Sequence, residues 1–199
     1  MSETNKVGHD IHPLLMKRWS PKAFSSKMLS KEQIESLFEA ARWAPSSFNE
    51  QPWAFIIASK EDESYNDLFD CINENNKKWA VTAPLIGVSL AKKFFDLNGR
   101  PNRHYMHDVG LAIAELATQA TYMGICIHQM AGFYPGKVLE YFKVPDDYEP
   151  VAMFAIGYPG RKDDLPEGVI PKEKDMRTRK EIEEFVFSGN FGKTSDWVK

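Results

Sequence analysis

At 199 residues, 43% of them hydrophobic and 13% aromatic, the chain is long enough to bury one sizeable core, and its 27% of charged residues are interspersed in sign, which excludes a disordered chain. A formal net charge of -3 excludes a general nucleic-acid binder, whose surface must be basic to meet phosphate. No apolar run reaches the roughly 18 residues of a membrane span. The N-terminus is polar without a signal-peptide core, and Cys71 and Cys126 stand far apart without a metal spacing, so a cytoplasmic protein with reduced thiols is expected.

A short helix is predicted over residues 10–18. It runs into KRWSPKAF, residues 17–24, where Lys17, Arg18 and Lys22 surround a serine and a proline. A second helix starts at Ser30, whose SKEQ has the form of a capping box, with Ser30 and Gln33 serving each other's backbone donors. Ile34, Leu37, Phe38 and Ala41 then recur at helical spacing, and Pro45 ends the helix ahead of a PSSFNEQP loop. WAFIIAS, from Trp53, reads as a buried strand, DESYNDLFDCINEN, from Asp62, as one helix, and PLIGVSL, from Pro84, as a second strand. The longest helix is predicted over residues 104–123. Its face of Val109, Ala112, Ile113, Leu116, Ala117 and Ala120 lets another helix approach closely, and Gly124 is its natural stop. ICIHQMAGF gives a short strand and turn, PGKVLEYF a helix entered through Pro135, and PVAMFAIGYP another strand. Beyond Tyr158 the chain is polar and proline-rich until KEIEEFVF. Phe185, Phe187, Phe191 and Trp197 crowd a short tail that needs something to pack against, and an arm over residues 177–199 embracing a second subunit would supply it. Few strands in irregular alternation with helices predict an α+β fold, helices around one small sheet, as a single domain over residues 1–199.

Neither the dinucleotide fingerprint GxGxxG nor the P-loop is present, nor are HExxH and GxSxG. His9 with His12, and His104 with His107, stand three residues apart, but no acidic or cysteine ligand completes a metal set, so no metal is assigned. In KRWSPKAF, Arg18 can grip a phosphate with two parallel N–H bonds, Ser20 adds a hydroxyl and Lys22 a mobile charge. A second basic cluster, MRTRK, carries Arg177 and Arg179, which point the same way if the segment is extended. Together the clusters would suit one phosphomonoester; either alone reads as a solvated charged face. In PSSFNEQPW, the side chains of Ser46, Ser47, Asn49 and Gln51 lie between stiffening prolines and could read the polar edge of a planar heterocycle, or could cap their own turn.

In order along the chain, KRWSPKAF, AARWAPSSFNEQPWAFIIAS, WAVTAPLIGV, HDVGLAIAEL, GFYPGKVLEYFKVP, EPVAMFAIGYP and RTRKEIEEFVF resemble the FMN-dependent nitroreductase superfamily, from about residue 11 to about residue 190. The resemblance implies a nitroreductase-like fold with a small, mainly antiparallel sheet. It implies FMN bound tightly at the interface of an obligate homodimer, two flavins per dimer, with the C-terminal arm crossing to the partner. By position, Arg18, Trp19, Ser20 and Lys22 match the first FMN-binding segment, Arg18 and Ser20 at the phosphate and Lys22 at the pyrimidine side of the ring. Pro45, Ser46, Ser47 and Asn49 match the loop that the partner subunit lays against the ring. Asn76 matches an asparagine that contacts the flavin. Met130, Ala131 and Gly132 match the segment at its reactive edge, and Arg177 and Arg179 the cations that complete the phosphate site.

Three positions depart from the family pattern. Trp19 stands where histidine or tyrosine is common, Ala131 where some members have glutamate, and Glu115 where many have asparagine. Ala131 is expected to open the slot to larger acceptors. The implied activity is hydride transfer from NADH or NADPH, through flavin N5, to nitroaromatic, quinone or similar small-molecule acceptors by a ping-pong mechanism. Hydride transfer and solvent protonation suffice, so no side chain is assigned a catalytic role. His107 and His128 read more simply as structural histidines. Two other readings stand beside it: a superfamily chemistry such as reductive dehalogenation or flavin fragmentation, or a non-catalytic flavin-binding dimer. AKKFFDLNGRPNRHY, from Ala91, is the one candidate lid, and its shortness favours a simple reductase.

Overall fold

The computed structural model describes residues 8–170 and 177–198, so the start of the polar N-terminus, part of the proline-rich stretch and the last residue of the predicted arm lie outside the described residues. The chain divides into two compact units, Ile11–Lys172 on one hand and Met1–Asp10 with Glu173–Lys199 on the other.

The larger unit contains helices α1 (Pro13–Lys17), α2 (Lys31–Arg42), α3 (Tyr65–Asp70), α4 (Glu74–Ala80), α5 (Tyr105–Tyr122) and α6 (Pro135–Tyr141). Its strands are β1 (Trp53–Ser59), β2 (Leu85–Lys92), β3 (Cys126–Met130) and β4 (Tyr148–Gly157). They form one four-stranded sheet in the order β1-β2-β4-β3, every pairing antiparallel. The α+β architecture expected from the sequence is therefore the observed one.

The strand period of two splits the core into two layers. On one face Leu85, Ile127, Phe154 and Ile156 pack with Leu37 and Ala41 of α2 and Ala112, Ile113, Leu116 and Ala117 of α5. On the other, Ile86, Val88, Met130, Met153 and Ala155 pack with Leu68, Trp79, Ala80 and Val138 of α3, α4 and α6. Gly87 sits where any Cβ would strike the Phe154 ring and the Ile56 carbonyl, so this point of the sheet admits no side chain.

Helix ends follow local chemistry. Ser30 and Gln33 form the capping box that starts α2. Gly124, at φ +71°, takes the left-handed turn after α5. The stretch expected as one helix from Asp62 is instead two. Between α3 and α4 the backbone turns away to meet the segment after β3: Ile72 bridges Phe133, Tyr134 N donates to Cys71 O at 2.8 Å, and Asn73 restarts the helix by accepting from Asn76 N. Tertiary pairing outweighs helix continuity here.

In the smaller unit a 3-10 turn at Ile182–Glu184 leads to a bridge between Phe187 and Thr194, and Ser195 N donates to Val186 O at 3.0 Å. Phe191 and Trp197 remain 96% and 95% exposed, so the tail's aromatics are largely unburied within one chain.

Candidate functional site

The cationic segment begins where α1 ends. Arg18 caps that helix, its N–H donating to Leu14 O, and its Nη1 donates to Ser20 Oγ at 3.3 Å. Lys22 is half-buried and has no ion-pair partner among the described residues. Its backbone is fastened from behind. The ring Nδ1 of His128, on β3, donates to Pro21 O at 2.7 Å; because a carbonyl can only accept, Nδ1 carries the proton. Thr82 Oγ1 accepts from Phe24 N at 3.1 Å and donates to Trp79 O at 2.9 Å.

Trp79 is the centre of this frame. Its indole is 3% exposed and stacks on the His128 ring at 4.3 Å and on Phe24 at 6.4 Å. Its Nε1 donates to Asn76 Oδ1, and Asn76 Nδ2 donates to Gly132 O at 3.0 Å. Asn73 N donates to the same carbonyl. A Cβ on Gly132 would run into the side-chain amides of Asn73 and Asn76, so only glycine lets both grip this turn. Arg18, Ser20, Lys22, Asn76, Met130 and Gly132 therefore belong to one continuous framework. Met130 is buried in it, Gly132 half-buried, and Ala131 exposed. The amide oxygen and one amide proton of Asn76 are engaged inside the protein, so Asn76 braces the turn at Gly132.

Outside the frame, Asp70 ties α3 to α4 and α6. Lys137 first and Lys77 second, at 2.5 and 3.0 Å, hold its carboxyl down to about 2. Burial pushes the neighbouring Cys71 thiol up to about 11, which makes it a core residue and not a nucleophile.

The PSSFNEQP loop is held differently. Its residues Phe48, Asn49 and Gln51 have φ of 53°, 56° and 51°, left-handed values that cost side-chain-bearing residues energy and mark functional segments. Local bonds close the turn: Gln51 N donates to Ser46 Oγ at 3.0 Å, and Asn49 N to Ser46 O at 3.0 Å. Phe48 is 89% exposed and meets the Phe95 ring edge-on at 5.8 Å, and Asp96 N donates to Glu50 Oε1. The candidate lid therefore leans on this loop.

The loop's anchor to the core is Asp108, in the first turn of α5. Its carboxylate is 3% exposed, and its Oδ2 accepts from Ser47 N at 3.0 Å. Its Oδ1 lies 3.0 Å from Nδ1 of His107. A cavity of about 400 Å³ opens here, lined by Pro45, Ser46, Ser47, His104, His107, Asp108 and Leu111.

The predicted residues thus fall into two groups, one around Trp79 and one on the Asp108-anchored loop. Arg177 and Arg179 belong to the smaller unit, where Arg179 is exposed and its Nη1 donates to Thr178 O at 2.6 Å. Sequence reasoning missed Thr82, Asn73 and Asp108. Asp108 had a signal: with Ala112, Leu116 and Ala120 it forms an i, i+4 ridge whose other members are all apolar and buried. Among the described residues no group of three or more His, Cys, Asp or Glu could hold a metal, and no helix is long and apolar enough to cross a membrane. A half-buried lysine facing no carboxylate, next to an arginine paired with a serine, suits a ligand that brings its own negative charge. These residues fit the FMN that the resemblance implies.

A model of the Nitroreductase family matches residues 15–158. A putative NADH dehydrogenase/NAD(P)H nitroreductase of Archaeoglobus fulgidus is 24% identical over 159 residues, 77% of this chain and 88% of that protein. An oxygen-insensitive NAD(P)H nitroreductase of Enterobacter cloacae is 46% identical over 54 residues, 27% of this chain and 25% of that protein. A solved structure described as an oxidoreductase containing FMN superposes with a TM-score of 0.86 at 28% identity, covering 98% of this chain and 100% of its own.

Proposed function

The chain belongs to the Nitroreductase family, and from that premise we propose that it is an oxidoreductase that holds FMN and passes electrons from NADH or NADPH to nitroaromatic, quinone or similar acceptors. The observation that carries the reading is the braced cationic segment, with Arg18 paired to Ser20 and a half-buried Lys22 opposed by no carboxylate among the described residues. Its support from outside is the similarity to an FMN-containing oxidoreductase over 98% of the chain.

When bound, FMN would supply two-electron transfer between nicotinamide and acceptor. The protein's part is to bind and orient it. Arg18 and Ser20 take the phosphate by charge-assisted hydrogen bonds. Lys22 would place a cation near the ring and so would favour the form that carries more negative charge. The turn fixed at Gly132 leaves Ala131 exposed, where it would border the bound ring. Reductant and acceptor use one slot in turn, which gives ping-pong kinetics.

The second wall comes from a twofold partner. In this reading the loop from Pro45 to Asn49 reaches the flavin of the other subunit, Arg177 and Arg179 complete the phosphate site, and the exposed Phe191 and Trp197 dock as part of a crossing arm. The exposed apolar residues of the larger unit, Leu15, Trp43, Phe48 and Tyr122 among them, support a large interface between two copies.

The deciding test is a visible spectrum after FMN reconstitution and desalting, taken without air before and after NADPH or NADH. A retained flavin band that bleaches is the expected result. A retained band that neither nucleotide bleaches would remove the reductase activity and leave a flavin-binding protein, and no retained band would remove FMN itself.

A further inference from the structure

The cavity beside the strained loop contains two histidines that FMN binding leaves unused. His107 is the better placed. Its side chain is 68% exposed, yet its ring is not loose, because Nδ1 lies 3.0 Å from Asp108 Oδ1. A carboxylate oxygen accepts, so Nδ1 carries the proton, and Nε2 is the nitrogen left to address a ligand. Asp108 also holds Ser47 N through its other oxygen, so one buried carboxylate fixes the imidazole and the loop in register. The cost of burying this carboxylate is offset by those two partners, Ser47 N and the His107 ring.

The cavity's size and walls narrow the ligand. About 400 Å³ lies in the range of small-molecule sites. Pro45 and Leu111 offer apolar surface to a ring, while the Asp108 carboxylate on the wall disfavours an anionic guest. The absence of a third metal-competent ligand among the described residues disfavours a metal ion. A neutral planar ring bearing a hydroxyl suits these walls: the apolar residues meet the ring, and the unprotonated Nε2 accepts from the O–H.

We infer that this cavity receives the electron acceptor, and that His107 is its specificity-determining contact, its unprotonated Nε2 accepting a hydrogen bond from a phenolic or other hydroxyl borne by the acceptor's ring. The inference rests on the function proposed above, which brings the other subunit's flavin to this loop and so would bring the acceptor that stacks on it, and deepens it by naming the group that reads the substrate.

The test uses FMN-loaded protein with 15N-labelled histidine, no reductant, and 4-nitrobenzyl alcohol as a neutral probe that stays unreduced. The expected result is a saturable shift of the His107 ring nitrogens, with His9 and His12 unmoved. His107→Phe, a change at an exposed position that keeps a flat ring, should weaken probe binding about tenfold, and His107→Gln, which keeps an acceptor for the probe's hydroxyl, should recover most of that loss. An unmoved His107 at saturating probe, or equal affinity in His107→Phe, overturns the inference. If FMN is retained and bleached while His107 stays silent, the inference alone fails; if FMN is not retained at all, the function beneath it fails.

Discussion

The segment from Arg18 to Phe24 and the loop from Pro45 to Gln51 are both polar, both proline-bearing and both placed at the flavin by the family resemblance, yet they are built on opposite principles. The first has relaxed backbone fastened from behind at Pro21, Phe24 and, through Trp79 and Asn76, at Gly132. The second concentrates three left-handed residues in a short turn, exposes its aromatic, and reaches the core through one carboxylate. The cationic side is fastened as the recognition of an anion by fixed charge geometry would require. The loop side stores strain and leaves its tip open, which suits a surface that meets varied flat molecules.

The comparison breaks most severely at its centre. Trp79→Ala should cost about 3–5 kcal/mol of stability, the scale of a large aromatic removed from a packed core, and should lower FMN retention with it; urea unfolding checks the first and desalting the second. If FMN binding survived intact, the frame would not be what shapes the cationic segment.

Arg18→Ala should leave the fold intact and weaken FMN binding by about 1.5–3 kcal/mol, the worth of a charge-assisted bond, as read by fluorescence titration. Unchanged affinity would return the segment to an ordinary charged surface. Asp108→Ala should cost about 1–3 kcal/mol by leaving Ser47 N without its acceptor, and should speed amide exchange in residues 46–51 while the Trp79 frame stays protected. Asp108→Asn keeps an oxygen for Ser47 N and should restore most of that protection.

Gln51→Gly sharpens the contrast from the other direction. It removes a side chain from a left-handed position, where the strain relieved exceeds the entropy glycine adds to the unfolded chain, so a gain of about 0.5–1 kcal/mol is expected in thermal or urea unfolding. No comparable gain is available in the cationic segment, which has no left-handed residue.

The smallest effect is acid sensitivity outside the frame. Asp70 is held down to about 2 by Lys137 and Lys77, below its ordinary 3.8. A carboxyl with a lowered folded-state pKa contributes stability above its unfolded value and loses it as pH falls through the folded one, so the contribution should fade between about pH 4 and pH 2. Asp70→Asn should flatten the stability profile in that window alone; an unchanged slope would show that the exposed pairs contribute nothing.

Much of this was readable beforehand, and the reasons are specific. β1 and the Ser30–Gln33 box lie where propensity and capping chemistry act locally. The break between α3 and α4 was invisible because it is made by Phe133 and Gly132, some sixty residues away. The motif residues at the cationic segment were legible as residue types, but the clamp by Thr82 and His128 depends on the packing of β3 and α4 against that segment. The loop's polar side chains were legible too, while its strain was not: only Asn49 is a residue type that favours left-handed backbone, and Phe48 and Gln51 give no such sign. Asp108 looked like a routine acidic residue near a helix start, and only its place on the buried ridge separated it from one.

The burial of Trp79 also has a spectroscopic consequence. The chain has five tryptophans, of which Trp43 and Trp197 are 76% and 95% exposed while Trp79 is 3% exposed. An indole shielded from water emits to the blue of an exposed one, and an indole without solvent contact escapes quenching by dissolved acrylamide. The blue, acrylamide-resistant part of the emission therefore contains the signal of the residue on which the cationic segment is mounted, Trp79 stacked on His128 at 4.3 Å. The molecule thus carries its own optical gauge of whether the cofactor frame is intact, readable without label, ligand or turnover.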